Sequence, residues 1–377
     1  MTGSKKYRIA RIAGDGIGPE VIGEASRIAD IAAAKKEFSI EWTDYPFGAS
    51  YYLETGETLP ENAISELRGK DAILLGAIGD PRVKPGILER SILLTLRFRF
   101  DMYTNLRPAK RYPRVPIPIK VPGDKKLDIL VVRENTEDLY MGMGAASKDS
   151  ISYDMNIERG LYDLKGKLDL RLEPSCPVAV QLGIASEKGV RRITATACAE
   201  AQKRGENSFT LASKSNAMPQ LYGFWEEIAA DEAKKHGMKM KMVNVDALCY
   251  HLVRTPWKYG VILCPNLFGD IVSDLLAGLT GGLGVAAGAN IGDMIGMYEP
   301  IHGSAPDIAG TGKANPIAAI LSAALMLSSI GEKEAADRIE EGVTDFLERT
   351  GEKELPIEMG GTASTREVGE AIAGRII

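Results

Sequence analysis

Histidine is almost missing from this chain, with only His236, His251 and His302 among 377 residues. Acid–base chemistry must therefore rest mainly on Asp, Glu, Lys or Tyr. Cysteine is nearly as scarce: the four residues Cys176, Cys198, Cys249 and Cys264 form no C-x-x-C pair. Three of them sit in apolar or small-residue contexts, so we expect reduced, buried thiols and a cytoplasmic protein rather than a disulfide framework. No apolar run is long enough to cross a bilayer. The longest, PIAAILSAALMLSSI, starts with proline and reads as a core helix capped by Asn315. No charge of one sign dominates either: Lys and Arg total 46 and Asp and Glu 51, a net charge of −5. This balance gives no electrostatic reason to expect nucleic acid or an anionic membrane as partner. The first strand-like run begins by Tyr7, which reads as leaving no room for a signal peptide.

The length suits two domains with a large core. An apolar fraction of 45% and a charged fraction of 26% are those of an ordinary globular protein. Near the start lies GDGIGPE, Gly14 to Glu20. Tyr7 to Ala13 before it read as a strand, and the residues after it place Val21, Ile22, Ala25, Ile28 and Ala29 on one helical face. Pro19 fits the first helical position, with Gly18 as cap. Gly14, Gly16 and Gly18 fall at every second position, so the G-x-G-x-x-G dinucleotide spacing is not met. Taken alone, the heptapeptide suits a ligand loop and a tight turn needing positive φ equally well. Up to about Met102, strand-like runs such as DAILLGAIG alternate with helical ones, an α/β pattern. The basic, proline-rich RPAKRYPRVPIPIKVPGDKK then leads into the apolar strand LDILVV, which reads as the chain crossing into a second domain. Residues 147–175 are polar and suit a protruding hairpin arm.

Several residues in this frame can carry chemistry. Arg97, Arg107 and Arg133 are singled out, and Arg133 directly follows a buried-strand run. Each alone is more often an ion-pair member; three converging would hold a di- or tricarboxylate through their planar guanidiniums. Asp270 and Asp274 stand four apart on one helical face, where like charges repel unless a cation lies between them. Asp246, after an apolar strand, can complete a hard oxygen site for Mg2+ or Mn2+. Taken alone, such a pair more often has a plainer role, with Asp270 starting the helix and Asp274 simply solvated. Lys214 in TLASKSNAM and Tyr140, seven residues past Arg133, suit proton transfer only if their surroundings tune them. YEPIHGSAPDIAGTGKANP is long, rich in small residues and polar, a composition suited to a ligand loop.

The blocks GDGIGPE, LLTLRFRFDMYTNLRP, VVRENTEDLYMG, SKSNAM, VDALCYHLVRTP, NLFGDIVSDL and EPIHGSAPDIAGTGKANP together resemble the β-decarboxylating 2-hydroxyacid dehydrogenases. That family includes isocitrate, isopropylmalate, homoisocitrate and tartrate/D-malate dehydrogenases. The resemblance implies an α/β, non-Rossmann, isocitrate/isopropylmalate dehydrogenase-like fold. Two α/β domains would share a mixed sheet: 1–102 plus 282–377 as the large cofactor-side domain, and 103–281 as the small dimerisation domain with a dimer-clasping arm at about 147–175. It implies that Arg97, Arg107 and Arg133 clamp substrate carboxylates beside Ser91, Leu93 and Leu94. Asp246, Asp270 and Asp274 would bind Mg2+ or Mn2+, and Tyr140, Lys214 and Asp246 would be catalytic. Gly14, Ile17, His302, Gly303, Ser304, Ala305, Asp307 and Asn315 would meet NAD. Lys214 and Asp246 would reach in from a partner subunit, making a homodimer with shared sites, with a higher oligomer possible.

Asp307 stands where NADP-using relatives carry a basic or neutral residue, and its carboxylate would repel a 2′-phosphate, so NAD is expected. The LLxLR pattern resembles isopropylmalate dehydrogenases, and Leu93 and Leu94 share the helical face of Arg97. This makes 3-isopropylmalate the expected 2-hydroxy acid. Ser91 and the VRENTEDLY block pull towards isocitrate or homoisocitrate. A non-catalytic regulatory subunit of the same fold is the remaining alternative, although such a subunit would be expected to lack some of these groups.

Overall fold

The computed structural model describes residues 5–376 except 159, 172, 174 and 175. Fourteen strands are formed by these residues. They are β1 (Lys5–Ile12), β2 (Phe38–Tyr45), β3 (Ala72–Leu75), β4 (Thr104–Lys110), β5 (Asp128–Glu134), β6 (Gly144–Ser147), β7 (Ser150–Glu158), β8 (Asp163–Arg171), β9 (Val178–Gln181), β10 (Ser208–Ser213), β11 (Lys239–Asn244), β12 (Val261–Cys264), β13 (Ala287–Ile291) and β14 (Gly296–Pro300). Ten of them order as β11-β10-β12-β5-β4-β13-β14-β3-β1-β2. The sheet is mixed, because β13 and β14 are antiparallel whereas β1, β2 and β3 run parallel.

The chain divides into two compact units, residues 1–102, 106–128 and 274–377 in one and 103–105 and 129–273 in the other. The first boundary falls where the sequence texture changes. The proline-rich segment, however, packs with the first unit instead of leading out of it. Tyr112 and Val115 supply the reason, since both are buried in that unit's core. The second change of unit comes at Asp274, inside the helix Asn266–Thr280, several residues before the expected 282.

In the first unit, strand alternation feeds two cores. Ile9, Leu74 and Tyr298 face helices Gly18–Ala34, Ile317–Ser329 and Lys333–Arg349. Ala10, Ile12, Ile73, Leu75 and Met297 face Ile64, Leu67, Ile92 and Leu96 on the other side. The predicted face Val21, Ile22, Ala25, Ile28 and Ala29 is fully buried. That helix begins at Gly18, so Gly18 is its first residue rather than its cap, and Pro19 follows in the first turn, where its missing N–H leaves no helical bond unmade. Pro316, not Asn315, holds the cap position of the next core helix, and Asn315 one residue earlier accepts the Ile317 N–H on its Oδ1 at 3.1 Å.

In the second unit β11, β10, β12 and β5 are all parallel. The amphipathic helix Glu187–Lys203 buries Val190, Ile193, Ala197 and Ala201, and Ser186 caps it by accepting the Gly189 N–H. The stretch expected as an arm holds the antiparallel pair β7 and β8, and the segments that flank it, β6 and β9, pair antiparallel with each other. Residues 159, 172, 174 and 175 of that expectation lie outside the described residues. Among the described residues no helix is long and apolar enough to cross a membrane. All four cysteines are free thiols; Cys198 and Cys264 are buried, Cys249 is half-buried and Cys176 is exposed.

Candidate active site

The glycine-rich heptapeptide turns at close quarters with its neighbours. Gly14 and Gly16 have φ of 75° and 58°, a region that strains any residue with a Cβ. A Cβ on Gly14 would lie 2.2 Å from the Ala77 carbonyl oxygen, and one on Gly16 would lie 1.9 Å from that of Ser304. Backbone hydrogen bonds explain the closeness. The Asp15 N–H donates to Ala77 O at 2.7 Å, and the Ile17 N–H donates to Ser304 O at 2.8 Å. The buried Asp15 carboxylate accepts from the Ala49 and Gly79 N–H groups at 2.7 and 2.9 Å. Three loops are thereby tied together, and Asp15 was not singled out from sequence.

Beside these loops, still in the first unit, a cavity of about 180 Å³ is lined by Glu89, Leu93, Arg97, Arg107, Glu299 and His302, among others. Arg97 Nη2 donates to Glu299 Oε1 at 3.1 Å, and Asn290 Nδ2 donates to the same oxygen at 2.8 Å. Arg107 lies 4.0 Å from Asp274. Leu93 lines this cavity, whereas Ser91 and Leu94 are not among its lining residues. The reason is local: residues Glu89–Leu94 form a π-helix, whose wider turn breaks the three-and-four spacing assumed from the sequence. Ser91 turns its hydroxyl back to the Ile87 carbonyl.

On the proposed cofactor side, a Cβ on Gly303 would meet nothing within 4 Å. The His302 Nε2 is buried and makes no hydrogen bond, while its Nδ1 lies 3.0 Å from the Gly303 carbonyl oxygen. Burial lowers the imidazole pKa and favours the neutral ring. Ala305 holds a positive φ of 38° and Asp307 is exposed. Asn315 is engaged inside the unit at both ends of its amide, with Ile317 and with Glu358 Oε2 at 3.1 Å.

The second unit carries a separate cluster. Arg133, 1% exposed at the end of β5, donates from Nε to Asn266 Oδ1 at 2.9 Å and from Nη1 to Asp270 Oδ1. The Tyr140 hydroxyl donates to the other Asp270 oxygen at 2.8 Å, and the Arg133 guanidinium stacks 5.1 Å from the Tyr140 ring centre. Burial, reinforced by the Asp270 carboxylate, raises the Tyr140 pKa, so the phenol keeps its proton. Lys214 and Asp246 pair at 2.6 Å, and the ammonium holds the Asp246 pKa below its usual value. Among the described residues no three His, Cys, Asp or Glu side chains are placed to hold a metal ion. One chain therefore does not assemble the expected aspartate triad; Asp246 faces Lys214 instead of Asp270 and Asp274.

Residues 8–372 match the isocitrate/isopropylmalate dehydrogenase family. The chain belongs to that family. It is 39% identical over 373 residues to a 3-isopropylmalate dehydrogenase of Mycolicibacterium gilvum, covering 98% of this chain and all of the relative. It is 37% identical to one of Thermobifida fusca, covering 99% of this chain and 98% of the relative. Among solved structures, isocitrate dehydrogenase from Methylococcus capsulatus superposes with a TM-score of 0.82 at 31% identity, covering 98% of this chain and 99% of that one. A β-decarboxylating dehydrogenase from Thermococcus kodakarensis gives 0.75 at 34% identity, covering 98% and 96%.

Proposed function

We propose that the protein oxidatively decarboxylates a 3-substituted malate, 3-isopropylmalate in the first place, using NAD and Mg2+ or Mn2+. The observation that carries the substrate is the makeup of the cavity, in which two buried arginines stand beside Leu93 and the carboxylate of Glu89. The guanidiniums suit the malate carboxylates, and Leu93 suits a branched alkyl group. A third carboxylate, as on isocitrate, would face Glu89 and an apolar wall and lose its solvation without gaining a partner. The serine that would have favoured isocitrate bonds its own helix instead.

The nicotinamide ring would accept the hydride from C2, and the cation would polarise the C2 oxygen and balance the charge that develops there after CO2 leaves. The residues fit both groups in kind. Gly303 leaves open space, the buried Nε2 of His302 lacks a partner, and Asp270 and Asp274 offer hard oxygen donors. Exposed Asp307 would accept ribose hydroxyls and repel a 2′-phosphate, which favours NAD over NADP. Arg97, Arg107 and Arg133 orient the substrate. Lys214, alone or with Asp246 through water, takes the C2 hydroxyl proton as the alcohol is oxidised to a ketone. The C3–carboxylate bond then breaks, and Tyr140, whose phenol keeps its proton, delivers it to C3.

A homodimer completes this reading. Asp246 shares its helix with exposed Tyr250 and Val253, and Asp270 is followed by exposed Ile271, all apolar surface suited to burial against a second copy. Lys214 and Asp246 would then serve the partner's Asp270 and Asp274. Free thiols accord with a cytoplasmic setting. The test is NADH absorbance with Mn2+ and a panel of 3-isopropylmalate, isocitrate, homoisocitrate, D-malate and tartrate, each with NAD and NADP. We expect 3-isopropylmalate with NAD to give the highest kcat/KM and excess chelator to abolish turnover. A higher kcat/KM for isocitrate refutes the reading of Leu93 and Glu89, and full activity in chelator refutes the metal.

A further inference from the structure

Asp138 has a backbone that an aspartate adopts at a cost. Its φ of 65° and ψ of −150° fall in a region that belongs to glycine, and its side chain is almost wholly buried. It immediately precedes the short 3-10 turn Leu139–Met141 that carries Tyr140. A glycine would suit that backbone better, so the carboxylate must compensate by what it holds.

Its contacts run to the helix that bears Asp270. Asp138 Oδ2 accepts the N–H of Leu267, in the first turn of helix Asn266–Thr280, at 2.9 Å. First-turn N–H groups have no partner within their own helix, so this carboxylate caps the helix from outside. Its Oδ1 accepts the Tyr222 hydroxyl at 3.4 Å, and its own N–H donates to Ile184 O at 2.7 Å. One residue earlier, the Glu137 carbonyl accepts from Asn266 Nδ2 at 3.1 Å. The turn is thus fixed to the start of the helix on one side and to the Ile184 strand bridge on the other.

We propose that Asp138 is a positioning residue, which accepts a strained backbone in order to lock the Tyr140 turn onto the first turn of the Asp270 helix and so hold the phenol against Asp270. The kinetic part of this proposal rests on the role given to Tyr140 above. Asp138→Gly keeps the backbone path and removes the cap. Asp138→Asn keeps an acceptor for Leu267 and, through its amide, a partner for the Tyr222 oxygen. Asp138→Ser, too short to reach both partners, repeats the loss if the glycine variant does not fold.

In crystals of Asp138→Gly the Tyr140 hydroxyl should leave hydrogen-bond distance of Asp270. Loss of an oriented proton donor should lower kcat at least ~10-fold with substrate KM within about threefold, and Asp138→Asn should restore kcat to within about threefold of the parent. A Tyr140–Asp270 contact retained at 2.8 Å in Asp138→Gly, or a kcat equal to the parent's, overturns the proposal. Tyr140→Phe measured alongside separates the two readings. If it keeps full kcat, the role of Tyr140 is refuted, while the crystallographic distance still decides what Asp138 does.

Discussion

The two units treat their arginines differently. In the first, Arg97 and Arg107 border a cavity of about 180 Å³ that protein atoms leave open. In the second, Arg133 is bound to Asn266 and Asp270 and stacked on Tyr140. Arg97 is paired with Glu299 and Arg107 lies 4.0 Å from Asp274, so these guanidiniums keep protein carboxylates while bordering open space. In the second cluster the side chains hold one another, so its geometry is set within the chain. The three arginines therefore differ in their surroundings, two at the edge of an open cavity and one enclosed by its neighbours.

The largest effect expected is on Tyr140. Tyr140→Phe should lower kcat by roughly 10²–10⁴-fold by deleting one proton transfer. Its melting temperature should stay close to the parent's, since Asp270 keeps Arg133. A slow variant that is also grossly unstable would show that the phenol is structural.

The two kinds of arginine can be separated next. Arg133→Met strands Asn266 and Asp270 and should cost about 2–3 kcal/mol of stability, less than a fully buried pair because Asp270 is partly exposed. Arg107→Met should leave stability nearly unchanged and raise substrate KM. Denaturant midpoints and KM values on the two variants decide it; an unchanged midpoint for Arg133→Met collapses the distinction.

A smaller contrast lies within the first unit. Gly16→Ala forces a Cβ to 1.9 Å from Ser304 O at positive φ and should destabilise by about 2–4 kcal/mol. Gly303→Ala points into open space and should stay within about 0.5 kcal/mol while raising the KM for NAD. Thermal melts and NAD titrations would show whether the open space belongs to the cofactor.

The smallest effect concerns pH. Burial, with Glu137 nearby, pushes the fully buried Glu134 up to about 7. An unfolded Glu ionises near 4.3. The folded form thus holds its proton longer, and the stability linked to that proton is present below the unfolded pKa and lost as pH rises through about 7. The melting temperature of the parent should fall relative to that of Glu134→Gln from pH 5 to pH 8. A parent that gains on the variant over this range contradicts the raised value.

Periodicity made the first helix legible, because Val21, Ile22, Ala25, Ile28 and Ala29 follow the helical repeat and one face meets a core. Order along the chain made the chemistry-bearing residues legible, since the motifs carried Arg133, Tyr140 and Asp270 together. What stayed hidden depended on contacts distant in sequence. Asp15 has an ordinary appearance until Ala49 and Gly79 arrive beside it. The π-helix at Glu89–Leu94 has no periodic signature, so Ser91 and Leu94 were assigned to a face they do not share with Leu93. Tyr112 and Val115 lie in a stretch whose prolines and basic residues read as a crossing, yet two apolar side chains were enough to fold it back onto the first unit.

The meeting of the Gly14, Ala77 and Ser304 backbones limits how this protein can drift. Where main chain lies against main chain, no side chain can be exchanged for a larger one, and neither an insertion nor a deletion can be absorbed in register. If Asp307 meets the coenzyme as proposed, a change of coenzyme would have to arise at that exposed residue and not in the seam. A library randomised at Gly14 and Gly16 would return mostly unfolded clones. One randomised around exposed Asp307 should return mostly folded clones, so tolerance to change is concentrated in a surface residue beside an immovable seam.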